Sequence, residues 1–225
     1  RDDVRQEIFR RLPVTLHLGL LAFILGVVIG LLAGIVSAVR RGGWLDSLVT
    51  LLANMGITAP PFWLGVLLIY LFGLHFKLLP VFGYTSPFQD FWLSIRQSLM
   101  PVLCLAAFPI ASTARQTRSS MLEVMRQDYM RTAWAKGLAE RRVITRHALK
   151  NALMPVVTLQ GTVIRHVIGG SVVIETVFNI PGMGRLTVDA VIGQDYPVVQ
   201  GVTLVVALAV VITNLAVDLL YGWLD

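Results

Sequence analysis

The chain has 225 residues, of which 56% are hydrophobic and 14% are charged, whereas a soluble globular domain has roughly 45–50% and about 25%. This composition disfavours a soluble domain, a disordered chain and a disulfide-rich scaffold, and Cys104 is the single cysteine. The net charge of +6 is better explained by membrane topology than by nucleic-acid binding, because its basic residues concentrate between long apolar stretches.

Long charge-free stretches predict the membrane spans. Four of them cover 12–39, 47–76, 97–114 and 196–217, and a fifth at 151–174 is interrupted only by Arg165. A helix needs about 20 apolar residues to cross the hydrocarbon core, and the backbone in lipid must bond internally. We therefore predict an all-α polytopic membrane helical bundle. Its five spans are expected at about 13–39, 48–76, 98–118, 151–175 and 198–221.

The basic residues of the connecting loops predict the orientation. Loops 40–47 and 114–150 carry eleven Lys and Arg residues, whereas loops 77–97 and 176–197 carry three. Basic residues accumulate on the cytoplasmic side of a membrane. We therefore expect residue 1 outside and residue 225 in the cytoplasm, although the basic N-terminal stretch runs against the rule.

Small residues and prolines mark the first two spans. Gly26, Gly30 and Gly34 form one face of the first span, a spacing that lets two helix backbones approach closely. This face packs either within the chain or against a second membrane subunit. In the second span, the prolines at 60–61 predict a kink, which is either purely structural or part of a transport pathway.

The fourth span carries a polar stripe around Arg165, which lies near its centre. A charge at that depth costs about 2.5 kcal/mol or more and usually faces a protein interior or a wet cavity. One hypothesis is that Arg165 lines a solute pathway and attracts an anionic group such as a carboxylate. The alternative is a structural ion pair with Glu175 or with an acid of another subunit, although Glu175 lies about 15 Å further along the same helix, which disfavours a direct pair. The candidate pathway residues are Asn54, Thr158, Thr162, Arg165 and His166.

Motifs of several enzyme classes are absent from the sequence. No lysine follows a glycine, so the chain has no phosphate-binding P-loop. The four histidines form no HExxH pair, there is no cysteine cluster, and no G-x-S-x-G nucleophile motif occurs. We therefore predict no catalytic residue, no metal ligand and no cofactor bound by this chain.

Residues 114–150 are too long for a simple connection between helices and contain one glycine and no proline. Asp128 is placed to cap a short amphipathic helix and Gly137 to end it. Such a helix suits insertion into a groove of a partner protein, or a position on anionic headgroups.

Two segments of this region carry a specific resemblance. Arg131-Thr-Ala-Trp-Ala-Lys-Gly-Leu138, followed by His147-Ala-Leu-Lys-Asn-Ala-Leu-Met-Pro155, resembles the EAA loop of binding-protein-dependent ABC importer permeases. The match is closer to the dipeptide, oligopeptide and nickel subgroup, whose pattern accounts for Arg131 and Thr132 in place of the general motif. Further matches, including Pro60-Pro61-Phe-Trp63 and Pro181-Gly-Met-Gly-Arg185, run through nearly the whole chain.

The resemblance implies the architecture of a permease subunit. Residues 1–225 would form a type I ABC importer transmembrane domain, with six spans in the full chain and an N-terminal part missing from this one. Residues 114–150 would form the cytoplasmic loop that couples the spans to ATPase subunits. The residues assigned to coupling are Arg131, Thr132, Ala133, Lys136, Gly137, Leu138, His147, Asn151 and Pro155.

The resemblance also implies partners, cargo and location. The expected partners are a second homologous permease subunit, two ATP-binding subunits that hold ATP and Mg, an extracytoplasmic solute-binding protein and the lipid bilayer. The location is the prokaryotic inner membrane. The favoured solutes are di- and oligopeptides, with nickel, glutathione or another small solute as alternatives. A stand-alone channel or secondary transporter would explain the spans, but not a structured cytoplasmic loop with this motif.

Overall fold

The computed structural model describes residues 3–135, 137, 139 and 142–224. Within these ranges the chain is helical and has no strand, as the sequence predicts. The helices are α1 (Val4–Val39), α2 (Trp44–Thr58), α3 (Pro61–Leu68), α4 (Phe91–Val124), α5 (Asp128–Ala135), α6 (Leu149–Val177), α7 (Met183–Ile192) and α8 (Tyr196–Leu224). Two π-helical segments, Ile69–His75 and Val143–Ala148, continue α3 and precede α6.

Four helices of the described residues are long and apolar enough to cross a membrane. They are α1, α4, α8 and α6 with its preceding π-helical segment, which correspond to four of the predicted spans. The predicted span 48–76 is instead broken into α2 and α3, so the count is five if this pair is one span. Pro60 is extended, with φ −63° and ψ 135°, and Pro61 opens α3. Where we expected a kink, the helix is interrupted, because a proline disfavours the helical conformation before it.

The described residues group into two compact units. The first contains the described residues of 1–24, 58–107 and 164–212, and the second contains those of 25–57, 108–163 and 213–225. An apolar core in the first unit joins the beginnings of α1 and α8 to α7. It consists of Ile8, Met183, Leu186, Ala190, Val198 and Val202. The sequence predicts a loop at 176–197 and gives no sign of α7, because the buried face of this helix packs against residues that are distant in the sequence.

Glu175 ties α7 to α1 and α6 within the first unit. Its side chain is fully buried, and its carboxyl oxygens accept hydrogen bonds from the Thr15 hydroxyl at 2.6 Å and the Arg185 N–H at 3.0 Å. Thr15 Oγ1 in turn accepts from the Met183 N–H at 2.8 Å. The first N–H groups of a helix have no acceptor within the helix. Thr15 and Glu175 therefore supply the N-terminal cap of α7 from elsewhere in the chain.

A second contact in the first unit joins α1 to the segment that follows α3. The Tyr84 hydroxyl lies 3.0 Å from His17 Nδ1, and the two rings meet edge to face. Burial raises the pKa of the Tyr84 phenol above its ordinary value. The phenol therefore keeps its proton at neutral pH.

The glycine face of α1 packs against α4 in the second unit. A Cβ atom on Gly30 would lie 2.7 Å from Thr113 Cβ, and one on Gly34 would lie 2.5 Å from Thr117 Cβ. A Cβ atom on Gly26 would likewise lie too close to Pro109 of α4. Only glycine permits this approach of the two backbones. Of the two interpretations of this face, packing within the chain is confirmed.

An apolar cluster holds α5 in the second unit. Met130 of α5 is fully buried and belongs to one cluster with Met121 of α4 and with Ala148 and Ala152. The predicted loop 114–150 is therefore not a loop at its start, since α4 continues to Val124. The remaining part contains the expected short helix, whose observed bounds are Asp128–Ala135.

Candidate functional site

Helix α6 exposes one line of side chains along its length, each three or four positions from the next. They are Asn151, Pro155, Thr158, Thr162, Arg165, Gly169, Val173 and Thr176. The opposite side of α6 is buried and mainly apolar, and it consists of Ala152, Val156, Gln160, Val163, Val167, Ser171 and Ile174. The exposed face thus contains the predicted pathway residues Thr158, Thr162 and Arg165. Gly161, next to Thr162, lies on the buried side of α6.

This distribution is the reverse of that expected for a helix that faces lipid. Exposed hydroxyl groups and a guanidinium at the middle of a membrane-crossing helix would cost free energy in hydrocarbon, about 2.5 kcal/mol or more for Arg165 alone. The exposed face of α6 is therefore suited to water or to another protein surface.

A wide cavity of about 700 Å³ lies along this face in the second unit. Its lining is Gln116, Asn151, Met154, Pro155, Thr158, Leu159 and Thr162. The polar groups are amides and hydroxyls, and none of these side chains carries a charge. The cavity brings together two predicted pathway residues with Asn151 and Pro155, which the sequence assigned to coupling.

Gln116 of α4 is a cavity residue that sequence reasoning missed. Its amide nitrogen donates to Ser120 Oγ at 3.1 Å, which orients the side chain along α4. The signal available in the sequence was that Gln116 directly follows Arg115, just past the charge-free stretch 97–114. At the rim of the cavity, Asn151 Nδ2 donates to the Tyr129 hydroxyl of α5 at 2.8 Å. The cavity and α5 are thus connected by one hydrogen bond.

The remaining predicted pathway residues lie outside this cavity. Arg165 and His166 follow Thr162 on α6, are exposed, and belong to the first unit. The hydrogen bonds of Glu175 go to Thr15 and to the backbone of α7, so the proposed Arg165–Glu175 pair is not observed among the described residues. Asn54 lines a separate cavity of about 260 Å³ in the second unit.

The predicted coupling residues centre on α5. Thr132 is exposed, and its hydroxyl donates to the Asp128 carbonyl at 3.2 Å. Gly137 has φ +72°, a left-handed conformation in which other residues are strained, and a Cβ there would meet nothing within 4 Å. Lys136 and Leu138 lie outside the described residues, as do the side chains of Arg131, Ala133 and His147.

A buried carboxylate in the second unit was also missed by the sequence analysis. Arg118 Nε and Nη2 donate to the two oxygens of Asp46 at 2.7 and 2.9 Å. The Ser37 hydroxyl and the Gly42 N–H donate to the same carboxylate at 2.5 and 2.9 Å. Four donors thus fix the end of α1, the turn before α2 and the last quarter of α4 to one another. The signal available in the sequence was the position of Asp46, a single acidic residue directly before the charge-free stretch 47–76.

The helical arrangement defines an all-helical membrane protein with several spans. The fold matches a solved chain of the MetNI methionine ABC transporter in an inward-facing conformation, with a TM-score of 0.80 and 18% identity, over 100% of this chain and 99% of that one. At this identity the likeness concerns the fold.

The sequence comparisons define the family. Residues 26–225 match the binding-protein-dependent transport system inner membrane component family, and the chain belongs to it. The chain is 44% identical to a dipeptide transport system permease protein, DppB, of Bacillus subtilis (strain 168) over 224 residues, covering 100% of this chain and 70% of that protein. It is 40% identical to DppB of Escherichia coli (strain K12) over 245 residues, covering 99% of this chain and 72% of that protein. The chain is therefore a multi-pass permease subunit of an ABC importer in the inner membrane.

Proposed function

We propose that this permease carries di- and oligopeptides, and that the exposed polar face of α6 lines their path. The observation that carries the proposal is the exposure of this polar face on a membrane-crossing helix. A second permease subunit placed against it would enclose the face and the cavity of about 700 Å³ between two proteins.

Three considerations support peptides as the cargo. The curated relatives are named as dipeptide transport permeases. Amides and hydroxyls such as Gln116, Thr158 and Thr162 can exchange hydrogen bonds with any peptide backbone, whatever its side chains. Arg165 adds one guanidinium, which suits a terminal carboxylate. A nickel pathway would favour imidazole or thiolate side chains instead.

The orientation and partners follow from the same proposal. Residue 1 lies outside and residue 225 in the cytoplasm, so that α5 faces two ATP-binding subunits and the opposite end of the bundle faces an extracytoplasmic binding protein. The partners hold ATP and Mg and carry out hydrolysis, while this chain contributes path and transmission. ATP drives the cycle only if the partners bind the two permease states with different affinities.

Cysteine accessibility in the assembled importer tests the path. The native Cys104 is 2% exposed and is first replaced by Ala, after which Thr158→Cys, Thr162→Cys and Arg165→Cys are made singly. A charged, membrane-impermeant thiol reagent applied to inside-out vesicles is expected to label these positions. Trapping the importer in its ATP-bound state is expected to change the labelling rates.

Two controls make the accessibility experiment decisive. Val163 is the fully buried neighbour of Thr162, and Val163→Cys is expected to stay unlabelled. Leu204 is 62% exposed on the apolar surface of α8, and Leu204→Cys is expected to react only with an apolar reagent. Labelling of Thr162→Cys at the rate of Leu204→Cys would place the polar face of α6 against lipid and refute the path.

The coupling role of α5 is tested at Gly137. Replacement by Ala places a Cβ in a left-handed backbone conformation, which costs about 1–2 kcal/mol and is expected to displace the end of α5. Gly42→Ala is the matched control, since Gly42 has φ +77° and is equally unobstructed. We expect Gly137→Ala to retain ATPase activity but to transport less peptide for each ATP hydrolysed. In Gly42→Ala, the ratio of peptide uptake to ATP hydrolysis is expected to stay unchanged. An unchanged ratio in both variants would contradict the coupling assignment.

A further inference from the structure

The smaller cavity of the second unit lies between α2 and α4. Its lining is Val49, Thr50, Ala53, Asn54, Ala114, Arg115, Arg118 and Ser119, around about 260 Å³. We propose that this cavity binds the phosphate group of an anionic phospholipid, with Arg115 as its cation. The inference depends on the proposed orientation, which places this end of α4 in the cytoplasmic leaflet.

The charges of the lining leave one cation for a ligand. Arg118 gives two hydrogen bonds to Asp46, so its charge is compensated inside the protein. Arg115 is exposed and forms no ion pair within the part of the chain that the structure describes. Beside it, Thr50 and Ser119 contribute hydroxyl groups to the lining. A guanidinium with neighbouring hydroxyl donors is a suitable set of ligands for a phosphate oxygen.

The position of the cavity along the helices favours a lipid phosphate. The charge-free stretch 97–114 ends directly before Arg115, so this side chain is expected at the level where hydrocarbon gives way to headgroups. A basic residue at that level attracts the anionic lipids of the cytoplasmic leaflet.

The outer surface of α2 offers a place for the acyl chains. Four residues spaced as one helix face are between 42% and 58% exposed, and they are Leu48, Leu51, Leu52 and Met55. This apolar face directly adjoins the cavity positions Thr50 and Asn54 in the sequence of α2. A free phosphate would use only the cavity, whereas a phospholipid would use both the cavity and the apolar face.

Lipid counting by native mass spectrometry tests the site. The complete importer, with its partner subunits, is released from nanodiscs containing phosphatidylglycerol or phosphatidylcholine. We expect the unmodified importer to retain phosphatidylglycerol in preference to phosphatidylcholine. Arg115→Gln is expected to lower the affinity for phosphatidylglycerol about tenfold, because one charge-assisted hydrogen bond is lost. Arg115→Lys keeps the charge and is expected to retain most of the affinity. Arg126→Gln is the matched control, because Arg126 is exposed and outside the cavity.

The outcomes separate the possible ligands. Equal retention of phosphatidylglycerol by Arg115→Gln and the unmodified importer would overturn the site. Thermal stabilisation by inorganic phosphate that depends on Arg115, without dependence on phosphatidylglycerol, would keep the phosphate chemistry and refute the lipid. Since lipid counting requires no transport, a failure of the peptide path leaves this readout unaffected, and the two proposals can fail separately.

Discussion

The cap of α7 by Glu175 gives a quantitative prediction about stability. In Glu175→Leu, the Thr15 hydroxyl and the Arg185 N–H both lose their acceptor. A buried donor without an acceptor costs about 1–3 kcal/mol. Because Thr15 is only partly buried and can turn toward water, we take the lower part of that range. For these two donors, the expected loss of unfolding free energy is about 2–4 kcal/mol.

A graded pair of variants distinguishes the cap from simple loss of volume. Glu175→Gln keeps one acceptor oxygen but turns an amide nitrogen toward a backbone donor, so we expect a loss of about 2 kcal/mol. Thr176→Val is the control, because Thr176 is exposed and its hydroxyl donates within α6, to the Val172 carbonyl at 2.8 Å. Its effect is expected within about 0.5 kcal/mol.

The single native cysteine provides the assay. Cys104 is 2% exposed in the folded chain, so a fluorogenic thiol reagent reports unfolding of the purified protein in detergent without any engineered label. The expected order of unfolding temperatures places the unmodified chain and Thr176→Val highest, Glu175→Gln lower and Glu175→Leu lowest. If Glu175→Leu unfolds at the same temperature as Thr176→Val, the hydrogen bonds of Glu175 do not stabilise α7 and the reasoning is wrong.

Two further predictions concern the second unit. Gly30→Ala would set a Cβ 2.7 Å from Thr113 Cβ and is expected to cost about 1–3 kcal/mol by forcing α1 and α4 apart, whereas Gly169→Ala, which meets nothing within 4 Å, should be neutral or stabilising in the same thermal assay. Equal effects would show that the glycine face is not close-packed. Asp46→Leu is expected to cost about 2–4 kcal/mol, somewhat below a fully buried pair because the Arg118 side chain is 31% exposed. A double-mutant cycle with Arg118→Met should recover part of the loss, and strict additivity would contradict the ion pair.

The apolar stretches alone predicted most of the fold. Hydrocarbon leaves a backbone few options, so an uncharged run of about 20 residues identifies a helix with little ambiguity. The predicted helix ends were less accurate, and α1 begins at Val4 rather than near residue 13. At that end the helix continues on polar residues, whose hydropathy carries no signal of helix formation.

Parts of the candidate site were also visible in the sequence. Thr158, Thr162 and Arg165 stood out because polar residues are costly in a membrane span, and the structure places all three on the exposed face of α6. The predicted group of pathway residues is not one site, since Asn54 lies in a different cavity from Thr158 and Thr162. A periodic pattern identifies one face of a helix but not which direction that face points.

The sequence by itself determined the membrane class, the helical content, the family resemblance and the polar stripe, because these depend on local composition and spacing. Only the tertiary structure decided which distant groups meet. Asp46 and Arg118 are 72 residues apart, and Thr15 and Glu175 are 160 apart, so no local pattern pairs them. Buried polar groups require partners wherever the fold can supply them, and the choice of partner therefore appears only once the helices are packed.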